Sequence, residues 1–117
     1  MTIFAGLCAI FGCSAKGFVS VGADEFAREI AKSGVQLVDV RTAEEYAGGH
    51  IPNAVNMDVL SSDFAEKIAT LDKERPVALY CRSGRRSKTA AEQAANLGYK
   101  VVELDGGINS WQGKIER

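Results

Sequence analysis

Three apolar runs constrain the fold of this chain more than any other feature: Val35–Val40 (VQLVDV), Pro76–Tyr80 (PVALY) and Lys100–Leu104 (KVVEL). None alternates cleanly between apolar and polar residues, as a strand with one wet face would, so each reads as a strand covered on both faces. The segments between them are too long for hairpin turns and carry apolar positions every three or four residues. Parallel strands joined by helical crossovers fit that pattern.

The remaining segments complete the alternation. Phe18–Val21 reads as a further short strand, and 23–33 as a helix stopped by Gly34. Thr42 with Glu45 three residues on is a capping box opening a short helix, which Gly48 and Gly49 end. Ile51-Pro52-Asn53 is turn chemistry before a brief extended run over 54–57. Ser61 or Ser62 is expected to cap a helix running to Ala69, and 87–97 to form the longest helix, closed by Gly98. Gly106-Gly107 introduces a last short helix holding Trp111. The expected architecture is a single α/β domain: a parallel sheet of about five strands with helices on both faces. A chain of 117 residues suits one such core.

Fourteen basic against fifteen acidic side chains leave a formal net charge of -1, so no general attraction to nucleic acid is expected. The three cysteines form no Cys-x-x-Cys pair and no cluster with the histidine, which predicts neither a disulfide framework nor a metal site. Two of them, Cys8 and Cys13, lie in an uncharged N-terminal stretch, residues 1–15, whose apolar part runs from Ile3 to Cys13. That run falls short of the roughly 20 residues that span a bilayer, but it has the length of a signal-peptide apolar region. Cleavage after Ala15 is one reading. Lipidation at Cys13, in a box Ile10-Phe11-Gly12-Cys13, is another, and would make a lipid anchor the protein's one link to a membrane. Export to the periplasm or cell envelope is the expectation from either, with residues 16–117 as the mature domain. The alternative is a packed N-terminal element of a cytoplasmic protein, since no Lys or Arg precedes the run.

Charge is concentrated at one place. After PVALY comes Cys81, followed by Arg82-Ser83-Gly84-Arg85-Arg86-Ser87. In parallel sheets, ligands bind beyond the carboxyl ends of the strands, where loops lead into helix N-termini. Gly84 permits the positive φ that a tight curl needs. Backbone N–H groups of such a curl turn inward and form an anion nest, reinforced by the positive end of the next helix. A thiol at that nest is favoured as thiolate: several contacts of about 1 kcal/mol each bring it from about 8.5 to about 7 or below. Arg82, Arg85 and Arg86 add fork-shaped donors suited to sulfonate, thiosulfate or phosphate oxygens.

Cys81 to Ser87 closely resembles the active-site loop of the rhodanese family of sulfurtransferases. Three further elements, in the same order along the chain, are similar to that family: Asp39-Val40-Arg41; Glu45-Tyr46 followed by Gly49-His50-Ile51-Pro52 and Ala54-Val55-Asn56; and Gly106-Gly107-Ile108-Asn109-Ser110-Trp111. The resemblance covers about Val19 to Trp111. It implies a sulfur relay in which Cys81 takes a sulfane sulfur from thiosulfate or a similar donor, holds it as a persulfide, and passes it to cyanide, a thiol or a partner protein. It implies that Arg82, Arg85 and Arg86 bind the departing sulfite end, that Arg86 and Ser87 brace the loop, and that no cofactor is needed. A monomer is expected.

Related phosphatases and arsenate reductases have five residues between cysteine and arginine. Here four separate Cys81 from Arg86, a ring better matched to one sulfur atom. A non-catalytic sulfur-binding or redox-sensing module is the alternative outside enzymes. His50, the sole histidine, invites a role as a base, but the resemblance places it in a structural turn. Asp39 and Arg41 are read as a polar brace at a strand end, with Arg41 paired to Glu45. Asn53 stands where the family has glycine, and Asn tolerates positive φ best among the rest.

Overall fold

The computed structural model describes residues 17–117. The readings made of residues 1–15 therefore lie outside the described residues. Five strands, β1 (Phe18–Val21), β2 (Gln36–Asp39), β3 (Val55–Asn56), β4 (Val77–Tyr80) and β5 (Val101–Leu104), form one sheet in the order β1-β5-β4-β2-β3. Every neighbouring pair is parallel. Among the described residues, four helices, α1 (Ala23–Ile30), α2 (Ala43–Ala47), α3 (Phe64–Ile68) and α4 (Arg85–Asn96), supply the crossovers, and a 3-10 turn over Gly107–Ser110 follows β5.

Side-chain alternation along the strands divides the core into two halves. Val77, Leu79 and Cys81 face α3 and α4, packing with Phe64, Ile68, Ala90, Ala91 and Ala94. Ala78 and Tyr80 face the other way, toward Phe26 of α1 and Tyr46 of α2. All four residues of β4 and all four of β5 are buried, which accounts for the continuous apolar runs in the sequence. The alanines of α4 let that helix approach the sheet closely, bringing its N-terminus down onto the end of β4. Trp111 packs edge-to-face on Phe26 with ring centroids 6.3 Å apart, so it serves as a lid on the α1 side of the core.

Some boundaries differ from those the sequence suggests. Helix α1 ends at Ile30, and α4 begins at Arg85 rather than Ser87, because Gly84, in left-handed conformation at φ 97°, already starts the turn. Helix α3 begins at Phe64 after Asp63. Neither serine caps it: Ser61 Oγ donates to Asp63 Oδ1 at 2.5 Å, a local bond that satisfies both side chains without a helix amide. Trp111 stands just past the 3-10 turn as its cap. The Thr42–Glu45 capping box forms as expected, and Asn53 takes φ 75°.

Candidate active site

Cys81 is the first residue beyond β4 and is 1% exposed. The chain curls after it and returns to the sulfur: the Gly84 N–H donates to Sγ at 3.1 Å, and Ser87 Oγ lies 3.4 Å from it. The loop's outer carbonyls are used elsewhere. Ile108 N–H donates to Cys81 O at 2.9 Å, and Asn109 N–H to Arg82 O at 3.0 Å, tying the loop to the 3-10 turn. With carbonyls held outward, amides are left pointing in. Two glycines make this close approach possible. A Cβ on Gly84 would stand 2.8 Å from Gly106 N, and one on Gly107 would collide with the Arg82 carbonyl.

Burial pushes the Cys81 thiol up, but the hydrogen bonds of the Ser87 hydroxyl and of the Ser87, Gly84 and Ser83 amides together outweigh it, so the net displacement is downward. The loop thus favours an anion on sulfur in a nearly closed site. That is the environment expected of a reactive rather than an inert buried cysteine.

The three arginines have different surroundings. Arg86 is half-buried and bidentate to Glu45, with Nη1–Oε1 at 2.8 Å and Nη2–Oε2 at 3.0 Å. This fork joins α4 to α2 and holds the Glu45 carboxyl at about 2. Arg82, Ser83 and Arg85 are exposed, and neither of these arginines forms an ion pair among the described residues. A cavity of about 270 Å³ opens beside Arg82, lined also by Glu44, Glu45, Gly49 and Asn109. A larger one of about 480 Å³, between Ile30, Leu37, Ile51, Pro52 and Trp111, shares no residue with the loop.

Asp39 and Arg41 bond to each other at the end of β2, and the pairing of Arg41 differs from the expectation in one respect. Asp39 is fully buried and accepts from Arg41 Nε at 2.9 Å and Nη2 at 2.6 Å, while Nη2 also donates to Gly49 O at 2.7 Å. Arg41 does not pair with Glu45. Its guanidinium is consumed by Asp39 and the Gly49 carbonyl, which leaves Glu45 for Arg86. Asn56 Nδ2 donates to the carbonyls of Asp39 and Arg41, closing the brace from β3. His50 belongs to the same structural zone: its ring stacks on Tyr46 at 3.8 Å and Nδ1 lies 3.0 Å from Tyr46 O. Its contacts fall on Tyr46 and Glu116, outside the Cys81 loop.

Two residues beside the loop escape sequence reasoning. Glu103 of β5 is fully buried and accepts from Ser87 Oγ at 2.5 Å. Lys88 donates to Gly84 O at 3.1 Å and to Asp105 at 2.9 Å. KVVEL reads as a strand covered on both faces, but the partners that satisfy its acidic residue, Ser20 and Ser87, lie 83 and 16 positions away in the chain.

Residues 22–114 match the family described as the rhodanese-like domain. The chain belongs to that family. A sulfurtransferase of Allochromatium vinosum is 40% identical over 78 residues, spanning 66% of this chain and 71% of that protein. The thiosulfate sulfurtransferase GlpE of Pseudomonas savastanoi pv. phaseolicola is 34% identical over 89 residues, 75% of this chain and 82% of its own. Among solved structures, a rhodanese-related protein from Thermoplasma volcanium superposes with a TM-score of 0.75 at 29% identity, covering 85% of this chain and 98% of that one. The five-stranded parallel sheet described above is the rhodanese fold.

Proposed function

We propose that this rhodanese is a sulfurtransferase that moves a sulfane sulfur from thiosulfate, or a donor of the same chemistry, through a persulfide on Cys81. The observation that carries the reading is the convergence on one sulfur: a cysteine 1% exposed, with the Gly84 amide at 3.1 Å and Ser87 at 3.4 Å, in a loop with four residues before Arg86. Names of relatives in two bacterial genera, both sulfurtransferases, support it.

The step is a displacement at sulfur. Cys81 thiolate attacks the outer sulfur of thiosulfate, the S–S bond breaks with its electron pair going to sulfite, and Cys81 is left as a persulfide anion inside the nest. A thiophile such as cyanide or a thiolate then attacks the terminal sulfur, and the electron pair of the second S–S bond returns to Cys81. Covalent catalysis splits one transfer into two displacements, and the same inward amides stabilise negative charge in both. Arg82 and Arg85, both exposed, supply in this reading the fork-shaped donors for the sulfonate oxygens. Arg86, bound by Glu45, braces the loop instead. No step calls for a cofactor or metal.

Incubation with thiosulfate and cyanide, with thiocyanate as readout, tests the reading, and an aryl phosphate and arsenate run alongside address the rival chemistry. Thiocyanate without phosphate release or arsenate reduction is expected; the reverse pattern would overturn it. Export, by cleavage after Ala15 or lipidation at Cys13, is the companion proposal supported by the apolar Ile3–Cys13 run. The mass of the protein recovered from its native cell distinguishes those two forms from an intact chain.

A further inference from the structure

Ser87 has one hydroxyl proton and stands between two groups that compete for it. On one side is Cys81 Sγ at 3.4 Å; on the other is Glu103 Oε2 at 2.5 Å. When that proton points to the Glu103 carboxylate, only a lone pair faces the sulfur, an arrangement that suits a thiol S–H and opposes a thiolate. For Ser87 to donate to a thiolate, Glu103 must itself hold a proton and donate to Ser87 Oγ. The same heavy-atom positions therefore serve two states that differ by one step of each proton.

Glu103 is fully buried on the α4 side of β5, where an apolar residue would satisfy the fold at lower cost. Its other oxygen accepts from Ser20 Oγ of β1 at 2.5 Å, and Lys88 Nζ lies 3.4 Å away, itself paired to Asp105. Lys88 thus bridges the carboxylates of Glu103 and Asp105. Among the described residues no other carboxylate and no imidazole contacts Ser87 or the sulfur; Arg86 is the remaining charged group that interacts with Cys81.

We propose that Glu103 is the resident acceptor of the Cys81 proton, reached through Ser87, so that the thiolate forms in a site closed to bulk base. The S–H bond and the Ser87 O–H bond break while new O–H bonds form at Ser87 and at Glu103. The charge moves from carboxylate to sulfur, and the cluster keeps its total. The proposal rests on the reading of Cys81 as the nucleophile, and it makes Glu103 a positioning residue for the thiolate, acting through Ser87.

The test is the rate of Cys81 alkylation by iodoacetamide as a function of pH, which needs no sulfur donor. A sulfurtransferase assay can therefore fail or succeed independently of it. Two coupled sites sharing protons give two macroscopic steps, with a partial thiolate plateau between them. In E103Q the profile collapses to one step, displaced to lower pH because a competing negative charge is gone. In S20A the carboxylate loses a donor and holds its proton more firmly, so reactivity on the first plateau rises about fivefold. Ser20 is exposed on an edge strand, which makes that variant informative even where E103Q folds poorly. A two-step profile surviving in E103Q, or a first plateau unmoved in S20A, would overturn the proposal.

Discussion

Two polar regions lie at the same end of the sheet and are built from similar residues, yet they are organised in opposite ways. In the 39–56 region the buried charges have partners at hydrogen-bond distance: Asp39 with Arg41, Arg41 with the Gly49 carbonyl, and Asn56 across the gap. In the 81–87 loop the donors converge on one sulfur, and Arg82 and Arg85 are exposed without an ion pair among the described residues. The first region spends its charges on itself and holds two strands and a helix in register. The second leaves charge uncompensated, which is what a site for an anion requires. Arg86 belongs to the loop in sequence but to the brace in function, since Glu45 occupies its fork.

The most severe way to break this contrast is at the sulfur. Cys81→Ser should abolish thiocyanate formation while leaving the melting temperature near that of the parent, because the substitution changes one buried atom. Next is the brace: Asp39→Ala strands the Arg41 guanidinium without its partner and should cost about 3–5 kcal/mol, seen as a fall in Tm of roughly 15 °C or more. Activity per folded molecule should change far less than stability does.

Arg82→Ala and Arg85→Ala should do the reverse. Each is expected to lower kcat/KM for thiosulfate by roughly tenfold, corresponding to one lost charge-assisted contact of about 1.4 kcal/mol, with Tm unchanged within error. The smallest effect belongs to the Glu45–Arg86 fork. Its carboxyl is held at about 2 when folded against an ordinary 4.5, so its contribution is complete above the unfolded value and is lost as pH falls from about 4.5 toward 2. A quarter of each side chain is exposed, so solvent screening limits the contribution to about 1 kcal/mol. Glu45→Gln should destabilise the protein by that amount at pH 7 and flatten its stability curve in the acid window, as followed by denaturant unfolding.

Much of the fold was legible because β4 and β5 are buried on both faces and so carry unbroken apolar runs. The loop was legible because Cys81, Gly84 and the arginines are adjacent in the chain and follow a strand. What was not legible depends on partners distant in sequence. Arg41 and Glu45 are four apart and look paired, but the sheet delivers Arg86 to Glu45 across 41 positions while Asp39 claims Arg41. Ser61 and Ser62 offer cap chemistry as good as that of Asp63, and the choice is made by the Ser61–Asp63 bond. Glu103 was hidden because its meaning lies in Ser20 and Ser87, on β1 and α4.

The central claim, that the loop around Cys81 carries sulfur, is tested most directly by weighing the intact protein after incubation with thiosulfate. The expected result is a gain equal to one sulfur atom, reversed by cyanide and absent from Cys81→Ser. A parent protein that gains no sulfur, or a Cys81→Ser protein that gains it equally, would contradict the account.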